Sequence, residues 1–463
     1  MITKALAEFI VRTGYDNLPS EAIAAARRHT LDCLGVTVLG SAEDTSRKVL
    51  DYVEESGGKP ESSIIGSRLK TSTSMAALAN GTSAHALDYD DYAQSWLGHP
   101  TAAVLPAVLA LGERERIGGK QVIEALVIGW EVGARLITSI GFGFSEVGWH
   151  TTGVIGTLGA TAGAARVLRL NQQQVLRALG IAASMASGLR VNFGTDTKPL
   201  HAGKAASNGV MAATLARKGF TANESIFDGP LGLTKVMAGE LPDESLWASR
   251  LGSSFDIVSP GGAIKPYPSC GLTHRSINAM LDLVKEKKIR AEDVVEIECI
   301  MHPVGPKVLI HARPKTGLEG KFSMEYCMAA AILYGEVTPR QFTNEKVQEP
   351  NAQELVRKFK YVHPHYGPGV EKAPDFPLGL PQIVKVKTRD GKEYSHQVTF
   401  PKGDPQNPLT NEELAKKFRD CAQALPAKQI ERSLELIFGL ESVPDVGQLL
   451  DAIAANQETA GIH

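Results

Sequence analysis

Gly153-Val-Ile-Gly-Thr-Leu-Gly-Ala-Thr-Ala-Gly-Ala-Ala-Arg-Val-Leu168 decides the fold. Its apolar residues recur at three- and four-residue spacing, which reads as a helix. It is also dense in Gly, Ala and Thr, and each Gly weakens an isolated helix by up to about 1 kcal/mol. Such a segment stays helical through packing, because small side chains let helix axes approach closely. That predicts a place at the centre of a helical bundle. Val175 to Ser187 has the same character. Thin helices could also serve to bring backbone and polar ends up to a ligand, and both readings stay open.

Working outward, the pattern is helical from the start to about residue 250. Ser20 reads as the cap of a helix running through Ala25, Leu31 and Val36. Asp44 or Thr45 opens another, which Gly57 and Gly58 close. Pro100 and Thr101 introduce a helix to Glu115; Gly118 and Gly119 break it, and a longer one runs from Lys120 to about Ile140. Near residue 255 the pattern changes. Val294 to Met301 and Gln382 to Thr388 alternate at period two, and an Asp390-Gly391 turn leads to a return strand from Glu393 to Phe400. These predict antiparallel strands with one wet face, interleaved with helices over Thr273 to Glu286 and Ser323 to Tyr334. Pro401 to Thr410 reads as a linker, and helical pattern resumes from Asn411 to the end.

The fold class expected is mainly α with an α+β insertion: a large all-helical domain built from both chain ends plus a smaller α+β domain. The expected boundaries are 1–254 for the helical domain, 255–401 for the α+β domain, and 402–463 for a helical tail rejoining the first. A cleft between such domains is the default place for a ligand. No internal repeat or low-complexity tract stands out.

Composition narrows the classes. The chain has 463 residues, 43% apolar and 22% charged, with a formal net charge of -2. Such a chain builds a core readily, and no global field draws it to nucleic acid or an anionic membrane. Cys33, Cys270, Cys299, Cys327 and Cys421 form no C-x-x-C pair, which argues against a zinc site, an iron–sulfur cluster or a disulfide framework and fits a reducing cytoplasm. No signal peptide is visible, and no run of about 18 uncharged apolar residues occurs to span a bilayer. G-x-G-x-x-G after a strand, a P-loop and a G-x-S-x-G elbow are all missing, which removes the common nucleotide and serine-hydrolase readings.

Four stretches carry polar groups that packing alone would not favour. In His85-Ala-Leu-Asp-Tyr-Asp-Asp-Tyr-Ala-Gln-Ser-Trp-Leu-Gly-His99, three carboxylates and two histidines lie between apolar helices. Asp88, Asp90 and Asp91 would repel one another in a dry site unless cations from elsewhere converged on them. Gly148-Trp-His-Thr-Thr-Gly153 sets His150 before a small-residue helix that Thr151 or Thr152 can cap, a ready site for a carboxylate or phosphate. Asn192-Phe-Gly-Thr-Asp-Thr-Lys-Pro-Leu-His-Ala-Gly-Lys204 offers Lys198 and His201, again leading into a helix. Ile264-Lys-Pro-Tyr-Pro-Ser-Cys-Gly-Leu-Thr-His274 offers Lys265 before two prolines, with Thr273 able to cap the next helix. The inventory suits a small polyanion and proton transfer.

Each residue also has an ordinary reading. Loop lysines are usually solvated, Asp90 and Asp91 can simply start a helix, and His99, His150, His201 and His274 can serve as core or capping partners. Cys270 is more often a packed thiol than a nucleophile. Asp88, His99 and His150 could form a two-histidine, one-carboxylate metal set, but Lys198 and Lys265 converging there would oppose a divalent cation. Arg190 is a possible carboxylate clamp or a solvated side chain.

Taken together, Leu-Asp-Tyr-Asp-Asp before Gly-His-Pro, Gly-Trp-His-Thr-Thr-Gly-Val-Ile-Gly-Thr-Leu-Gly, Gly-Thr-Asp-Thr-Lys-Pro-Leu-His-Ala-Gly-Lys-Ala-Ala and Lys-Pro-Tyr-Pro-Ser-Cys-Gly-Leu-Thr-His resemble the MmgE/PrpD family over nearly the whole chain. The family includes 2-methylcitrate dehydratase, cis-aconitate decarboxylase and iminodisuccinate epimerase, so the resemblance fixes fold better than substrate. It implies a homodimer, no metal and no organic cofactor. By the resemblance, the active-site positions of the decarboxylase match Asp88, His99, His150, Lys198 and Lys265, and a tyrosine of a later helix matches Tyr326. Its threonine after the Asp-Asp pair is Tyr92 here, and the loop from Asp88 to His99 is one residue longer.

These matches imply catalytic roles for Asp88, His99 and His150 and substrate-binding roles for Lys198, Lys265 and Tyr326. The expectation is a cofactor-free lyase in a cytoplasmic setting, a dehydratase of a small di- or tricarboxylic acid that abstracts a proton next to a carboxylate. A decarboxylase, an epimerase and a non-catalytic polycarboxylate binder are the alternatives. The expected partner is the small polycarboxylate itself, with no nucleic acid and no membrane.

Overall fold

A computed structural model of the chain describes residues 1–141, 143–238, 250–362 and 380–454. It divides into two compact units: the first is Met1–Val191, Thr197–Ile264 and Leu409–His463; the second is Asn192–Asp196 and Lys265–Pro408. The last residues of the expected helical tail, 455–463, lie outside the described ones.

The first unit is a helical bundle. Its main helices are Ser20–Gly40, Thr73–His85, Pro100–Glu115, Gly119–Ile140, Thr151–Val167, Gln172–Met185 and Thr197–Arg217. Thr151–Val167 lies among Pro100–Glu115, Gly119–Ile140 and Thr197–Arg217, and Thr73–His85 packs along the last of these. Almost every residue of Thr151–Val167 is buried, including Val154, Ile155 and Leu158. The small residues set the approach. A Cβ on Gly203 would lie 2.2 Å from the Leu78 carbonyl oxygen, and one on Gly209 would lie 2.6 Å from the Ala160 carbonyl carbon. The chain beyond Leu409 adds Asn411–Cys421 and Ala427–Phe438, both against Ser20–Gly40. Among the described residues no helix is long and apolar enough to cross a membrane.

Short two-residue strands pair β1 (Ser62–Ser63) with β2 (Lys70–Thr71), and β3 (Tyr92–Ala93) with β4 (Gly262–Ala263). The second unit holds a four-stranded sheet of β5 (Val294–Ile300), β6 (Phe359–Val362), β7 (Gln382–Thr388) and β8 (Glu393–Val398), in the order β6-β5-β7-β8. β7 buries Gln382, Val384, Val386 and Thr388 on alternate positions, the period-two pattern that the sequence shows. Helix His274–Lys287 packs on β7 and β8, and Met324–Tyr334 on that helix. Ile277, Met280, Ile297, Met328, Val384 and Val386 belong to this unit's core.

Several local expectations change. The sheet is mixed, because β6, not read from the sequence, pairs in parallel with β5. Ser20 is the first residue of its helix and makes no capping hydrogen bond. Thr151 and Thr152 do not cap their helix either: the Thr151 hydroxyl donates to the Leu97 carbonyl, and the Thr152 Oγ1 accepts from His99 N–H at 3.2 Å. Thr273 donates to the Cys270 carbonyl at 2.7 Å instead of capping. Thr151 and Thr273 direct their hydroxyls to a tertiary and a turn carbonyl, and Thr152 to the His99 amide.

Candidate active site

The loop from Ala86 to His99 is pinned to the bundle by its own aromatic residue. Trp96 is fully buried and donates from Nε1 to the Trp130 carbonyl at 3.0 Å. Gly133 makes room for it, since a Cβ there would stand 2.0 Å from the Trp96 ring. Ser95 Oγ donates to Asp256 Oδ1 at 2.8 Å, and that oxygen also accepts from Trp130 Nε1 at 2.9 Å. Gly98 lies against the start of helix Thr151–Val167, where a Cβ would meet the Thr151 and Thr152 hydroxyls at 2.8 and 2.9 Å. This close approach brings His99, the residue before Pro100–Glu115, near His150, the residue before Thr151–Val167.

The three carboxylates meet different sets of partners, with His99 shared by Asp88 and Asp90. Asp88, at φ 50°, takes Lys198 Nζ at 2.9 Å and His99 Nε2 at 3.6 Å on the same oxygen, Oδ1. Asp90 accepts from His85 Nδ1 at 3.0 Å and faces His99 Nδ1 at 3.1 Å. Asp91 lies 2.6 Å from His29 Nδ1 and accepts from the Thr101 hydroxyl. Only Asp88 thus receives a lysine. Lys417, from Asn411–Cys421, enters the same region but pairs with Asp32 at 2.5 Å and donates to the Tyr89 carbonyl at 2.9 Å.

Hydrogen-bond logic fixes the imidazole tautomers. His99 Nδ1 faces the Asp91 carbonyl at 2.8 Å as well as the Asp90 carboxylate. Neither can donate, so Nδ1 carries the hydrogen and Nε2 is the variable atom toward Asp88. By the same argument His85 Nδ1–H donates to Asp90. Burial drives His85 down to about 3, aided by the nearby Lys198 and His99 and opposed by Asp90. It is therefore neutral at pH 7, and its buried Nε2 makes no hydrogen bond. Burial alone would raise Asp90; the imidazole N–H groups outweigh it and hold the carboxyl well below the usual range. Burial, then the Lys198 ammonium and the neighbouring imidazoles, push His150 well below the ordinary histidine value. The His85 and His99 rings are 4.3 Å apart, and His85 stacks on His150 at 6.2 Å.

The structure therefore brings Asp88, His99 and Lys198 into direct contact, with His150 alongside through His85. Sequence reasoning did not single out His85, which lies in the last turn of an otherwise apolar, small-residue helix, Thr73–His85. His201, weighed as a structural partner or a ligand, has its Nδ1 2.9 Å from His150 Nδ1. In the second unit Lys265 is fully buried, and Tyr326, also fully buried, donates its hydroxyl to the Gln341 carbonyl. The Arg190 guanidinium donates to the Ser145 carbonyl at 2.7 Å, tying down the chain before His150.

His85, Asp88, Asp90 and His99 are the four described residues that could hold a metal ion, with one potential ligand atom from each lying within 4.8 Å of the others. His85 and His99 both meet Asp90 through Nδ1, at 3.0 and 3.1 Å, and the Lys198 ammonium occupies the charge-compensating position beside Asp88. Such a set suits proton transfer: neutral imidazoles as acceptors, ionised carboxylates that orient them, and a buried cation that stabilises developing negative charge.

Comparison with known proteins finds a family for the chain. The MmgE/PrpD N-terminal domain matches residues 4–244, and the MmgE/PrpD C-terminal domain matches residues 267–439. The chain is similar to cis-aconitate decarboxylase of Mus musculus, at 28% identity over 97% of this chain and 92% of that protein. The human cis-aconitate decarboxylase is 27% identical over 97% and 93%, and that of Aspergillus terreus 25% identical over 98% and 96%.

Proposed function

The chain belongs to the MmgE/PrpD family, and from that premise we propose that it is a lyase of a small di- or tricarboxylic acid, acting by proton transfer at the carbon next to a carboxylate. The observation that carries this reading is the buried contact of Asp88 with both Lys198, at 2.9 Å, and His99, at 3.6 Å. A substrate carboxylate entering here would share the Lys198 ammonium, which then stabilises the enolate-like charge formed when the proton leaves. Electrostatic stabilisation of that kind is commonly the largest single contribution in a dry site. His150 is the base, with Asp88 as the alternative; His99 returns a proton, to a leaving hydroxyl or to carbon. By the resemblance, Lys265 and Tyr326 are further substrate-binding residues in this proposal.

Dehydration is the primary reading, supported by Tyr92 at the position where the resemblance to the decarboxylase calls for threonine. Decarboxylation is the second, supported by the names of the similar proteins. Both require the same proton handling and differ in what departs. Incubation of the purified protein with a panel of di- and tricarboxylic acids, with products weighed by mass spectrometry, separates them: loss of the mass of one water marks dehydration and loss of the mass of one carbon dioxide marks decarboxylation. A product of unchanged mass would replace the lyase by an epimerase. We further propose a homodimer, to be checked by sedimentation.

A further inference from the structure

The His150–His201 contact has no part in the chemistry above. Two imidazole Nδ1 atoms 2.9 Å apart require a hydrogen on one and a lone pair on the other. His150 is buried, whereas His201, in the first turns of helix Thr197–Arg217, is partly exposed. The backbone makes room for the second ring. A Cβ on Gly188, at φ 142°, would lie 3.3 Å from His201 Cγ, and one on Gly153 would lie 3.4 Å from His201 Cβ and 2.3 Å from the Ser187 carbonyl oxygen. The Gly188 carbonyl also accepts from His150 N–H at 2.9 Å, so the residue that clears space for one ring fixes the main chain of the other. Burial and the Lys198 ammonium favour the neutral form of both imidazoles, His201 being pushed down to about 4.

We propose that His201 is the proton relay of this site: the shared hydrogen between the two Nδ1 atoms sets whether His150 Nε2 is a bare base or an N–H acid, and His201 carries the proton on to solvent. The proposal rests on the proton-transfer reading given above. At the start His150 holds its hydrogen on Nδ1 and His201 on Nε2. His150 Nε2 takes the proton from the substrate carbon, whose C–H electron pair stays on that carbon. The Nδ1 hydrogen of His150 crosses to His201 Nδ1, and His201 Nε2 releases its hydrogen to water. Both rings end neutral with tautomers reversed, and one proton has moved from substrate to solvent. His201 touches no substrate; it acts through His150.

The test compares wild type, His201→Asn and His201→Ala on whichever polycarboxylate the wild type converts. His201→Asn keeps a hydrogen-bonding amide near the Nδ1 position but cannot relay. It is expected to hold KM within about twofold while kcat falls at least tenfold, within the usual range for a lost acid–base partner. Added imidazole is expected to restore part of the activity of His201→Ala. Wild-type kcat in His201→Asn overturns the proposal, as does a loss in His201→Ala that imidazole does not relieve, which assigns His201 to holding His150 in place. Histidine ¹⁵N–¹H NMR tests the shared hydrogen without any substrate. A far-downfield Nδ1 resonance present in wild type and lost in His201→Ala supports the relay, and its absence from wild type overturns it. An enzyme that converts no acid but shows that resonance contradicts the proposed function and leaves the shared hydrogen supported.

Discussion

Lys198 Nζ lies 2.9 Å from Asp88 Oδ1, and both side chains are buried. Removing one partner of a buried ion pair leaves the other charge uncompensated, at a cost of about 3–5 kcal/mol. Asp88 is also held at φ 50°, a left-handed conformation that Asp tolerates better than most residues but that its surroundings must enforce. Lys198→Met is expected to lower stability by about that amount and to reduce kcat at least a hundredfold. The double variant Asp88→Asn/Lys198→Met is expected to recover much of the stability and none of the activity. Denaturant titration and steady-state kinetics on the three proteins check this; equal stability of the single and double variants would contradict a coupled pair.

Asp90 is an acceptor for two imidazoles. In Asp90→Asn, one Nδ1–H must face either an amide nitrogen or a weaker carbonyl acceptor, so His85 or His99 loses the bond that sets its tautomer. The expected outcome is a kcat reduced by about ten- to a thousandfold, in the range for a misdirected acid or base, with a smaller change in KM. A kcat within twofold of wild type would show that the Asp91 carbonyl alone orients His99.

Neutral burial of His85 gives stability a defined pH dependence. Its folded value is depressed to about 3, so between there and its unfolded value near 6.5 the unfolded chain binds a proton that the native one does not. Stability from this group therefore falls as pH drops below about 6.5, by up to about 1.4 kcal/mol per pH unit. Glu131, pushed up to about 7, and Asp32, pushed up to about 6, act in the opposite sense over part of this range. The clean quantity is the difference between wild type and His85→Asn, which keeps a donor toward Asp90. Urea unfolding between pH 7 and 5 is expected to show the variant losing less stability than wild type; parallel curves would mean that His85 charges freely in the native state.

Gly133 tests whether loop position alone controls the site. Gly133→Ala places a methyl 2.0 Å from the Trp96 ring, an overpacking that typically costs about 1–3 kcal/mol. It removes no chemical group from the cluster. Lower thermal stability with a fall in kcat of at least fivefold is expected, because the displaced Trp96 carries the Asp88–His99 loop with it; unaltered kinetics at reduced stability would uncouple the anchor from the site.

Much of the fold was legible because its signals are local. The alternation in Val294–Ile300 and Gln382–Thr388 and the small-residue run in Thr151–Val167 each report their own surroundings. β6 was not legible: Phe359–Val362 is four residues long, too short to show a period, and its parallel partner lies about sixty residues earlier. At the site, Asp88, His99, His150 and Lys198 stood out as polar residues at loop–helix junctions, and the structure sets the first two and Lys198 in contact. Their partners were hidden. The three carboxylates called for cations from elsewhere, yet imidazoles meet Asp90 and Asp91, and His85, though counted among the histidines of the stretch, showed no sign of its role at the end of its helix. Which carboxylate meets which imidazole depends on the turn at Asp88 and the anchoring of Trp96, and neither is written in the spacing.

Proton transfer at a substrate carbon with His150 as the base is read out by solvent deuterium incorporation. Wild type and His150→Ala are to be incubated in deuterated water with the converted acid and followed by NMR, with thermal melts confirming that both are folded. Label is expected at the carbon next to the carboxylate in wild type, with labelling slowed at least about a hundredfold in the variant, as for loss of a positioned base. Labelling by His150→Ala at the wild-type rate would contradict it.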